Sequence, residues 1–271
     1  MFLDRKARAF HLSFNLIIIS ISLYKSTFGI LKEKLDVLFF GAHPDDIELT
    51  CGGTVVRLVE SGKKTGIVDL TRAELSSRGN TELREEETEK ASAILGIDVR
   101  ENLNLKDGCI VNDESSREKV ITSIRTYAPD IVFAPYPNDR HPDHINASNL
   151  IRESCFFSGL SKIKTGELSP HRPGRVFYYP QAYEIPVSFI MDISGAFEKK
   201  MEAIKCYGSQ FYNPAYSGSK DEPGTLISSV LFYKMIEARA RNYGFKIGTE
   251  FGEAFFSYEA VKINSETLFT I

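Results

Sequence analysis

The chain has 271 residues, with 33 basic and 36 acidic side chains and a formal net charge of −3 at pH 7. Because the basic residues are scattered and form no stripe, this balance argues against nucleic acid as a partner. The four cysteines form no Cys-x-x-Cys pair, which argues against a cysteine-ligated zinc site and a disulfide framework and favours a cytoplasmic location.

The first 33 residues differ from the rest of the chain. Three basic side chains, Arg5, Lys6 and Arg8, precede an apolar run within residues 16–24, as in a signal peptide. The run is too short for a stable membrane span, which needs about 20 apolar residues. Two interpretations remain: a signal-like segment, or a non-native extension from a mis-assigned start codon. We favour the extension, because secretion would expose a glycosylation sequon at Asn146, where a glycan would block the candidate site.

Strand-like and helix-like segments alternate from residue 35 to residue 135. Residues 35–42 (LDVLFFGA) form a continuous apolar run, which is typical of a strand covered on both faces. The expected segments are a strand at 35–42, a helix at 54–60 after Gly52-Gly53, a strand at 65–71, a helix at 81–95 ending at Gly96, a helix from a cap at Asp113 or Ser115 to Tyr127, and a strand at 131–135. This alternation predicts an α/β, Rossmann-like fold, with a mostly parallel sheet and helices on both faces.

Beyond about residue 160 the alternation is less regular. The expected segments there are strands at 175–181 and 187–193, helices at 194–207 and 226–243, and an aromatic segment at 251–261 that returns to the sheet. The loop at 208–224 is interpreted either as an active-site lid or as an oligomer contact. No repeat or proline-rich linker divides the chain, so we predict a single domain over residues 34–271, preceded by the extension at 1–33.

Two short clusters of histidine and aspartate each follow an expected strand. His-Pro-Asp-Asp at 43–46 follows the first strand, and His-Pro-Asp-His at 141–144 follows the strand at 131–135. One such tetrapeptide alone is a common turn former. Because ligands of open parallel sheets bind outside the carboxyl ends of the strands, we expect the two clusters to meet in space. Imidazole and carboxylate ligands suit catalytic zinc, and two histidines with one carboxylate also suit ferrous iron.

The clusters contain more groups than a metal needs. One of the adjacent carboxylates Asp45 and Asp46 can bind the metal while the other acts as a general base. A histidine of the second cluster can stabilise an oxyanion or protonate a leaving group. Asp143, between the two histidines, can orient an imidazole. The pattern therefore predicts a metal-dependent hydrolase site.

The two clusters, with the Gly-Gly-Thr that follows the first, resemble the LmbE/PIG-L family of zinc-dependent deacetylases, which remove acetyl groups from N-acetylglucosaminyl compounds. The resemblance runs from about residue 35 to the C-terminus. It includes the stretches DLTRAELSSRGN (69–80), ENLNLKDG (101–108), NDRHPDH (138–144), YGSQF (207–211) and FGEAF (251–255). Together these are most similar to the subgroup that deacetylates N-acetylglucosaminyl L-malate in bacillithiol biosynthesis.

The resemblance implies roles for individual residues. One Zn²⁺ per chain, with Fe²⁺ or another divalent metal as the alternative, would be held by His43, Asp46 and His144. Asp45 would be the general base, and His141 the partner of the oxyanion. The resemblance also implies a small-molecule N-acetylglucosaminyl conjugate as substrate, and a homo-oligomer.

Three further residues are candidate substrate contacts. The resemblance implies that Arg78 and Arg140 bind the sugar or its acidic aglycone and that Asp107 contacts a sugar hydroxyl. On sequence grounds alone, Arg78 can equally pair with acidic residues of the next helix, and Asp107 can simply make a turn before a glycine. The chain departs from the family at Ala73, where a glycine is expected. It also has Asp139 where mycothiol-pathway relatives have a tyrosine, which argues against that branch.

Two other classes of function remain as rivals. A metal-dependent sugar-binding or scaffold protein without turnover would have no need of Asp45. A nucleotide-binding Rossmann protein would need Gly-x-Gly-x-x-Gly after the first strand, and carboxylates stand there instead. A deacetylase acting on another N-acetyl sugar conjugate is the nearest alternative to the malate conjugate.

Overall fold

A five-stranded parallel sheet forms the centre of the protein. The computed structural model describes residues 34–218 and 221–262; the expected extension at 1–33 lies outside them. The sheet strands are β1 (Val37–Gly41), β2 (Thr65–Thr71), β3 (Val99–Leu105), β4 (Ile131–Pro135) and β5 (Arg175–Tyr179). They are ordered β3-β2-β1-β4-β5, so β1 is central and pairs with both β2 and β4. The carboxyl ends of β1 and β4 are therefore neighbours.

Within residues 34–218 and 221–262, six α-helices accompany the strands. They are α1 (Asp46–Glu60), α2 (Thr81–Leu95), α3 (Glu114–Tyr127), α4 (Pro142–Phe157), α5 (Phe197–Cys206) and α6 (Val230–Lys246). Among the residues described, no helix is long and apolar enough to cross a membrane.

Hydrophobic cores cover both faces of the sheet. Successive residues of a strand point to opposite faces, so Val37 and Phe39 pack into one core while Leu38 and Phe40 pack into the other. Helices α1, α2, α5 and α6 contribute to the first core, and α3 and α4 to the second. The predicted α/β class, with a mostly parallel sheet and flanking helices, is confirmed. As expected, β1 is a continuous apolar run because both of its faces are buried.

The C-terminal part adds a small antiparallel sheet. Its strands are β6 (Phe189–Asp192) and β7 (Gly252–Phe255), and a short 3-10 helix (Ser194–Ala196) precedes α5. The segment predicted to return to the central sheet does so through a single bridge, between Phe256 and Tyr178 of β5. Within the described residues, the expected strands and helices of this part are found with bounds shifted by a few residues.

Three elements of the first part differ from the sequence-based expectation. Helix α1 begins at Asp46 and not at residue 54, so the Gly52-Gly53 pair lies inside the helix. Strand β3 and helix α4 were not among the expected segments. The second difference places the His-Pro-Asp-His cluster at the start of a helix.

Candidate metal and catalytic site

The loop after β1 carries the first cluster. Gly41 ends the strand, and a Cβ there would lie only 3.1 Å from the carbonyl oxygen of His43, so glycine lets the chain fold back tightly. Asp45 caps α1 with a φ of 113°, in the left-handed region that side-chain-bearing residues rarely adopt. Asp46 is the first residue of the helix. Strain of this kind at a non-glycine residue is frequent at functional sites.

The loop after β4 carries the second cluster. His141 caps α4, Pro142 occupies the first turn, and His144 follows within that turn. Proline suits this position because the first helical N–H groups have no partner within the helix. Asp139 fixes the turn by accepting the backbone N–H of His141 at 2.9 Å.

The two loops meet and place the three predicted metal ligands together. His144 Nε2 lies 3.4 Å from Asp46 Oδ1, and His43 Nδ1 lies 3.8 Å from Asp46 Oδ2. One ligand atom from each of these three residues lies within 4.8 Å of the others. Asp46 Oδ2 also accepts the backbone N–H of His43 at 3.0 Å, which holds the carboxylate in the centre of the group.

Each histidine of this group has a carboxylate on its other ring nitrogen. His43 Nε2 lies 3.1 Å from Asp107 Oδ1, and His144 Nδ1 lies 2.9 Å from Asp139 Oδ1. This pairing is the usual way in which proteins orient metal-binding imidazoles and raise their basicity. Two imidazole nitrogens held in this way, together with the carboxylate of Asp46, fit a divalent metal. The sequence alone gave Asp139 no role beyond arguing against the mycothiol branch, although it lies within the NDRHPDH stretch; the structure places it beside His144.

The protonation of the histidines reflects the surrounding carboxylates. Burial lowers the pKa of His43, but hydrogen bonds to Asp107 and Asp143 outweigh it and raise the pKa to about 10. Burial likewise opposes protonation of His144, while Asp46 and Asp139 raise its pKa to about 9. Burial raises the pKa of Asp46, but the histidines outweigh it and hold that pKa well below its ordinary value. Without a metal, His43 and His144 are therefore protonated at neutral pH and carry the positive charge of the site.

Binding of a divalent metal is expected to release protons from this site. A coordinating histidine must be unprotonated at the ligating nitrogen, so metal and protons compete. Because the pKa values of His43 and His144 are about 10 and 9, affinity should fall as the pH is lowered from 9 to 6. Calorimetric titration in buffers of different ionisation enthalpy should show about two protons released from the two histidines at pH 7. An affinity independent of pH would contradict this assignment.

Arg84 of α2 holds the predicted general base. Its Nη1 donates to Asp45 Oδ2 at 2.8 Å and to the carbonyl oxygen of Pro44 at 2.6 Å, and its Nη2 donates to Ser76 Oγ at 3.0 Å. Arg84 is only 4% exposed. Burial raises the pKa of Asp45 to about 7, and the guanidinium of Arg84 limits that rise. A pKa near the working pH suits a general base.

Replacing Arg84 with methionine is expected to shift the pH dependence of catalysis. Asp45 acts as a base only when ionised, and loss of the neighbouring cation should raise its pKa. The acid limb of the kcat/KM profile should therefore move to higher pH by about one unit or more. Arg84→Lys, which keeps the charge but cannot reach Asp45 and Ser76 at the same time, should move it less. An unchanged profile with lower thermal stability would mean that Arg84 is only structural.

His141 and Asp143 complete the centre of the site. The ring of His141 lies 4.9 Å from that of His43 and 4.8 Å from that of His144, between centroids. His141 Nδ1 accepts the backbone N–H of Asp143 at 3.2 Å, which leaves the proton of the neutral ring on Nε2. The carboxylate of Asp143 faces His43, with Oδ2 at 3.5 Å from Nε2. Asp143 thus contacts two histidines, one through its backbone and one through its side chain.

The three predicted substrate contacts lie in different surroundings. Asp107 is 5% exposed, and besides His43 it accepts the backbone N–H of Leu75 at 2.8 Å. Arg78 stacks on the ring of Tyr216, with Cζ 4.9 Å from the centroid. Arg140 is exposed and makes no hydrogen bond or ion pair with any residue that the structure describes.

The stacking of Arg78 on Tyr216 connects the loop at 72–80 with the described part of the loop at 208–224. Glu222 adds a second connection, because its carboxylate accepts the Tyr216 hydroxyl at 2.9 Å and the backbone N–H of Gly79 at 3.2 Å. The loop at 72–80 carries Ser76, the partner of Arg84. Tyr216 and Glu222 therefore contact the segment that carries Ser76, the partner of Arg84 beside the predicted base.

Comparison with known proteins gives consistent results. A model of the family described as "PIG-L: GlcNAc-PI de-N-acetylase" matches residues 38–155. The chain is 29% identical over 214 residues to a diacetylchitobiose deacetylase from Thermococcus kodakarensis, covering 69% of this chain and 79% of that protein. It is 30% identical over 133 residues to the uncharacterized deacetylase YaiS of Escherichia coli K12, covering 46% of this chain and 70% of that protein.

A solved structure is similar over nearly its full length. The crystal structure of the conserved protein TT1542 from Thermus thermophilus has a TM-score of 0.77 and 36% sequence identity, covering 85% of this chain and 98% of that chain. The matched segment at 38–155 contains both His/Asp clusters and the residues that orient them. The chain therefore belongs to the PIG-L/LmbE family of deacetylases.

Proposed function

We propose that the protein is a zinc-dependent hydrolase that removes the acetyl group from an N-acetylglucosaminyl conjugate. The best substrate is proposed to be N-acetylglucosaminyl L-malate, as in bacillithiol biosynthesis. The observation that carries the proposal is Asp45, a buried base beside three metal ligands, with a pKa of about 7. A protein that only binds sugar has no use for such a group. The relative from Thermococcus, named as acting on diacetylchitobiose, supports an N-acetylated sugar as substrate.

The side chains of the site can perform hydrolysis of an acetamide. A metal held by His43, Asp46 and His144 would polarise the acetyl carbonyl and acidify a water molecule. Asp45 takes a proton from the attacking water while the oxygen of that water forms a bond to the carbonyl carbon. The C–N bond then breaks, the nitrogen leaves as the amine with the proton returned to it, and acetate is the second product.

His141 is suited to stabilise the oxyanion. Burial and the nearby His43 and His144 lower its pKa, so the ring is neutral at neutral pH. Its Nδ1 is occupied by the backbone N–H of Asp143, so Nε2–H is the group that can donate to the substrate. A positioned donor of this kind acts where negative charge develops.

One feature supports a conjugate with an acidic aglycone. Arg140 is an exposed cation without a partner among the described residues, and it is adjacent to His141 in the sequence. A guanidinium binds carboxylates with two parallel hydrogen bonds.

Arg140→Met is expected to weaken binding of the malate conjugate selectively. Loss of charge-assisted hydrogen bonds worth about 1.5–3 kcal/mol should raise KM by roughly 10–100-fold. KM for the uncharged methyl glycoside of N-acetylglucosamine should change little. Arg175, a partly buried arginine that pairs with Glu259 at the start of β5 and so at the opposite end of the sheet, provides the control Arg175→Met. An equal loss for both substrates would contradict the assignment.

The proposed activity can be tested with a small panel of N-acetylglucosaminyl conjugates. Zinc-reconstituted protein should release amine from them, fastest from the malate conjugate. A preference for diacetylchitobiose would refute the malate assignment and support the alternative conjugate. Binding of these compounds without amine release would indicate a catalytically silent sugar-binding protein. We further propose that the protein is cytoplasmic and forms a homo-oligomer; analytical ultracentrifugation tests the oligomeric state.

A further inference from the structure

We propose that Arg239 of α6 is a positioning residue that aligns the two halves of the candidate metal site. Its guanidinium donates to one backbone carbonyl in α1 and to another in the loop that follows β5. Arg239 lies outside the segment at 38–155 that the family model matches. The expected effect on metal binding stands without the reaction, whereas the expected effect on turnover rests on the proposed function.

The first hydrogen bond of Arg239 leads to His144. Nη1 donates to the carbonyl oxygen of Gln181 at 2.7 Å. The same peptide group carries the N–H of Ala182, which donates to Asp139 Oδ2 at 2.7 Å. Asp139 Oδ1 in turn lies 2.9 Å from His144 Nδ1. Because a trans peptide group is planar, with its C=O and N–H on opposite sides, Arg239 fixes the direction from which Asp139 is held.

The second hydrogen bond of Arg239 leads to Asp45 and Asp46. Nη2 donates at 3.4 Å to the carbonyl oxygen of Leu49, at the end of the first turn of α1. The backbone N–H of Leu49 donates to the carbonyl oxygen of Asp45 at 3.0 Å. Asp46 is three residues before Leu49, so less than one helical turn separates the ligand from the carbonyl that Arg239 holds. A shift of this turn would therefore move the base and the ligand together.

A buried carboxylate holds α1 further along the helix. Glu253 of β7 accepts the backbone N–H groups of Gly53 at 3.0 Å and of Thr54 at 2.7 Å. Lys200 donates to Glu253 at 2.5 Å, and both side chains are 3% exposed. Because this contact holds the middle of α1, we expect variants of Arg239 to fold and to lose only the alignment of the first turn with the loop after β5.

A contribution of charge alone is the alternative function of Arg239, and it predicts the opposite change in metal binding. A cation repels a divalent metal ion, so removing a guanidinium that acts only through its charge would strengthen metal binding. Removing a guanidinium that aligns the ligands should weaken it. Within residues 34–218 and 221–262, both hydrogen bonds of Arg239 go to backbone carbonyls and neither goes to a carboxylate, which favours alignment.

The metal affinity of Arg239→Met tests the proposal. Affinity for Zn²⁺ is measured by competition with a chelator, and the visible absorption of the Co²⁺-loaded protein reports the geometry of the ligands. We expect the affinity to fall by about tenfold and the absorption spectrum to change. The kcat for deacetylation should fall by about 10–100-fold with little change in KM, because Arg239 aligns the base and does not contact the substrate. Arg239→Lys, which can reach only one of the two carbonyls, should give intermediate values.

Arg241→Met is the matched control. Arg241 lies in the same helix and pairs with Glu237 and Glu250 at the surface. This variant should bind metal and turn over as the unaltered protein does. Equal losses in Arg239→Met and Arg241→Met would contradict a specific role of Arg239.

Two further results would overturn the proposal. One is an Arg239→Met variant with lower thermal stability but with unaltered or tighter metal binding, which would make Arg239 structural or a source of charge alone. The other is full metal affinity in Arg239→Lys, which also decides the matter if circular dichroism shows that Arg239→Met does not fold. If the unaltered protein deacetylates no conjugate, the proposed function fails, whereas the metal affinities still decide the role of Arg239.

Discussion

Asp45→Asn is expected to lower kcat for deacetylation by about 10²–10⁴-fold while the bound metal is retained. The substitution keeps the size of the side chain but removes its ability to take a proton from water. Asparagine also tolerates the left-handed backbone that Asp45 adopts, with its φ of 113°, so the variant should fold. Acetate release and metal content are measured on the same preparation.

The control for this substitution is Asp113→Asn. Asp113 also caps a helix, and it accepts the backbone N–H of Ser116 at 2.8 Å, a function that asparagine performs equally well. This variant should have unaltered turnover. Full activity of Asp45→Asn would show that another group is the base, and loss of its metal would show that Asp45 is a ligand.

Asp46→Asn is expected to abolish both metal binding and turnover. Asp46 is the carboxylate that both ligand histidines face, and a neutral amide in its place should weaken metal binding by more than about 100-fold. Asp139→Asn changes a carboxylate that contacts His144 Nδ1 and not the metal, so it should weaken metal binding only by about 10–100-fold. Metal affinity of both variants is measured by competition with a chelator. Equal effects would mean that Asp46 and Asp139 do not differ in their distance from the ion.

Much of the fold around the site could be predicted from local sequence. The apolar run of β1 and the His-Pro-Asp-Asp cluster that follows it are adjacent in the chain, and a parallel sheet has only one end at which such a cluster can lie. Because β1 and β4 pair directly, the second cluster is brought to the same place. Both inferences depend on short-range pattern and on a general property of parallel sheets.

The start of α1 could not be predicted, because packing overrides local preference there. Gly52 and Gly53 are poor helix formers and are typical of turns. In the structure they lie within α1, where a Cβ on Gly53 would come within 2.7 Å of Ile193 and a Cβ on Gly52 within 3.1 Å of Lys200. The glycines permit close contact with segments about 140 residues away, which no local pattern reveals.

The polar sequence of β3 conceals a strand for a similar reason. Arg100 on this edge strand reaches inward to Asp69 Oδ2 at 2.8 Å and to Glu48 Oε1 at 2.6 Å. Its charge is compensated by carboxylates from other elements, so the strand lacks the apolar alternation that would identify it.

Arg84 is a residue of the candidate site that could not be predicted from the sequence. Within the sequence it is one charged residue among several in α2, and only the packing of that helix brings its guanidinium to Asp45. At Ala73, in contrast, the expectation made before the structure agrees with the backbone conformation. The family resemblance led us to expect a glycine at this position, and the structure gives Ala73 a φ of 53°, which glycine adopts more readily.

The most direct test of the account is deacetylation in water enriched in a heavy oxygen isotope. Asp45 is proposed to activate water for attack on the acetyl carbonyl, so a single turnover should place one heavy oxygen in the released acetate and none in the amino sugar product. Mass spectrometry of both products reads this directly. Label in the sugar product, or a metal-loaded protein that releases no acetate, would contradict the account.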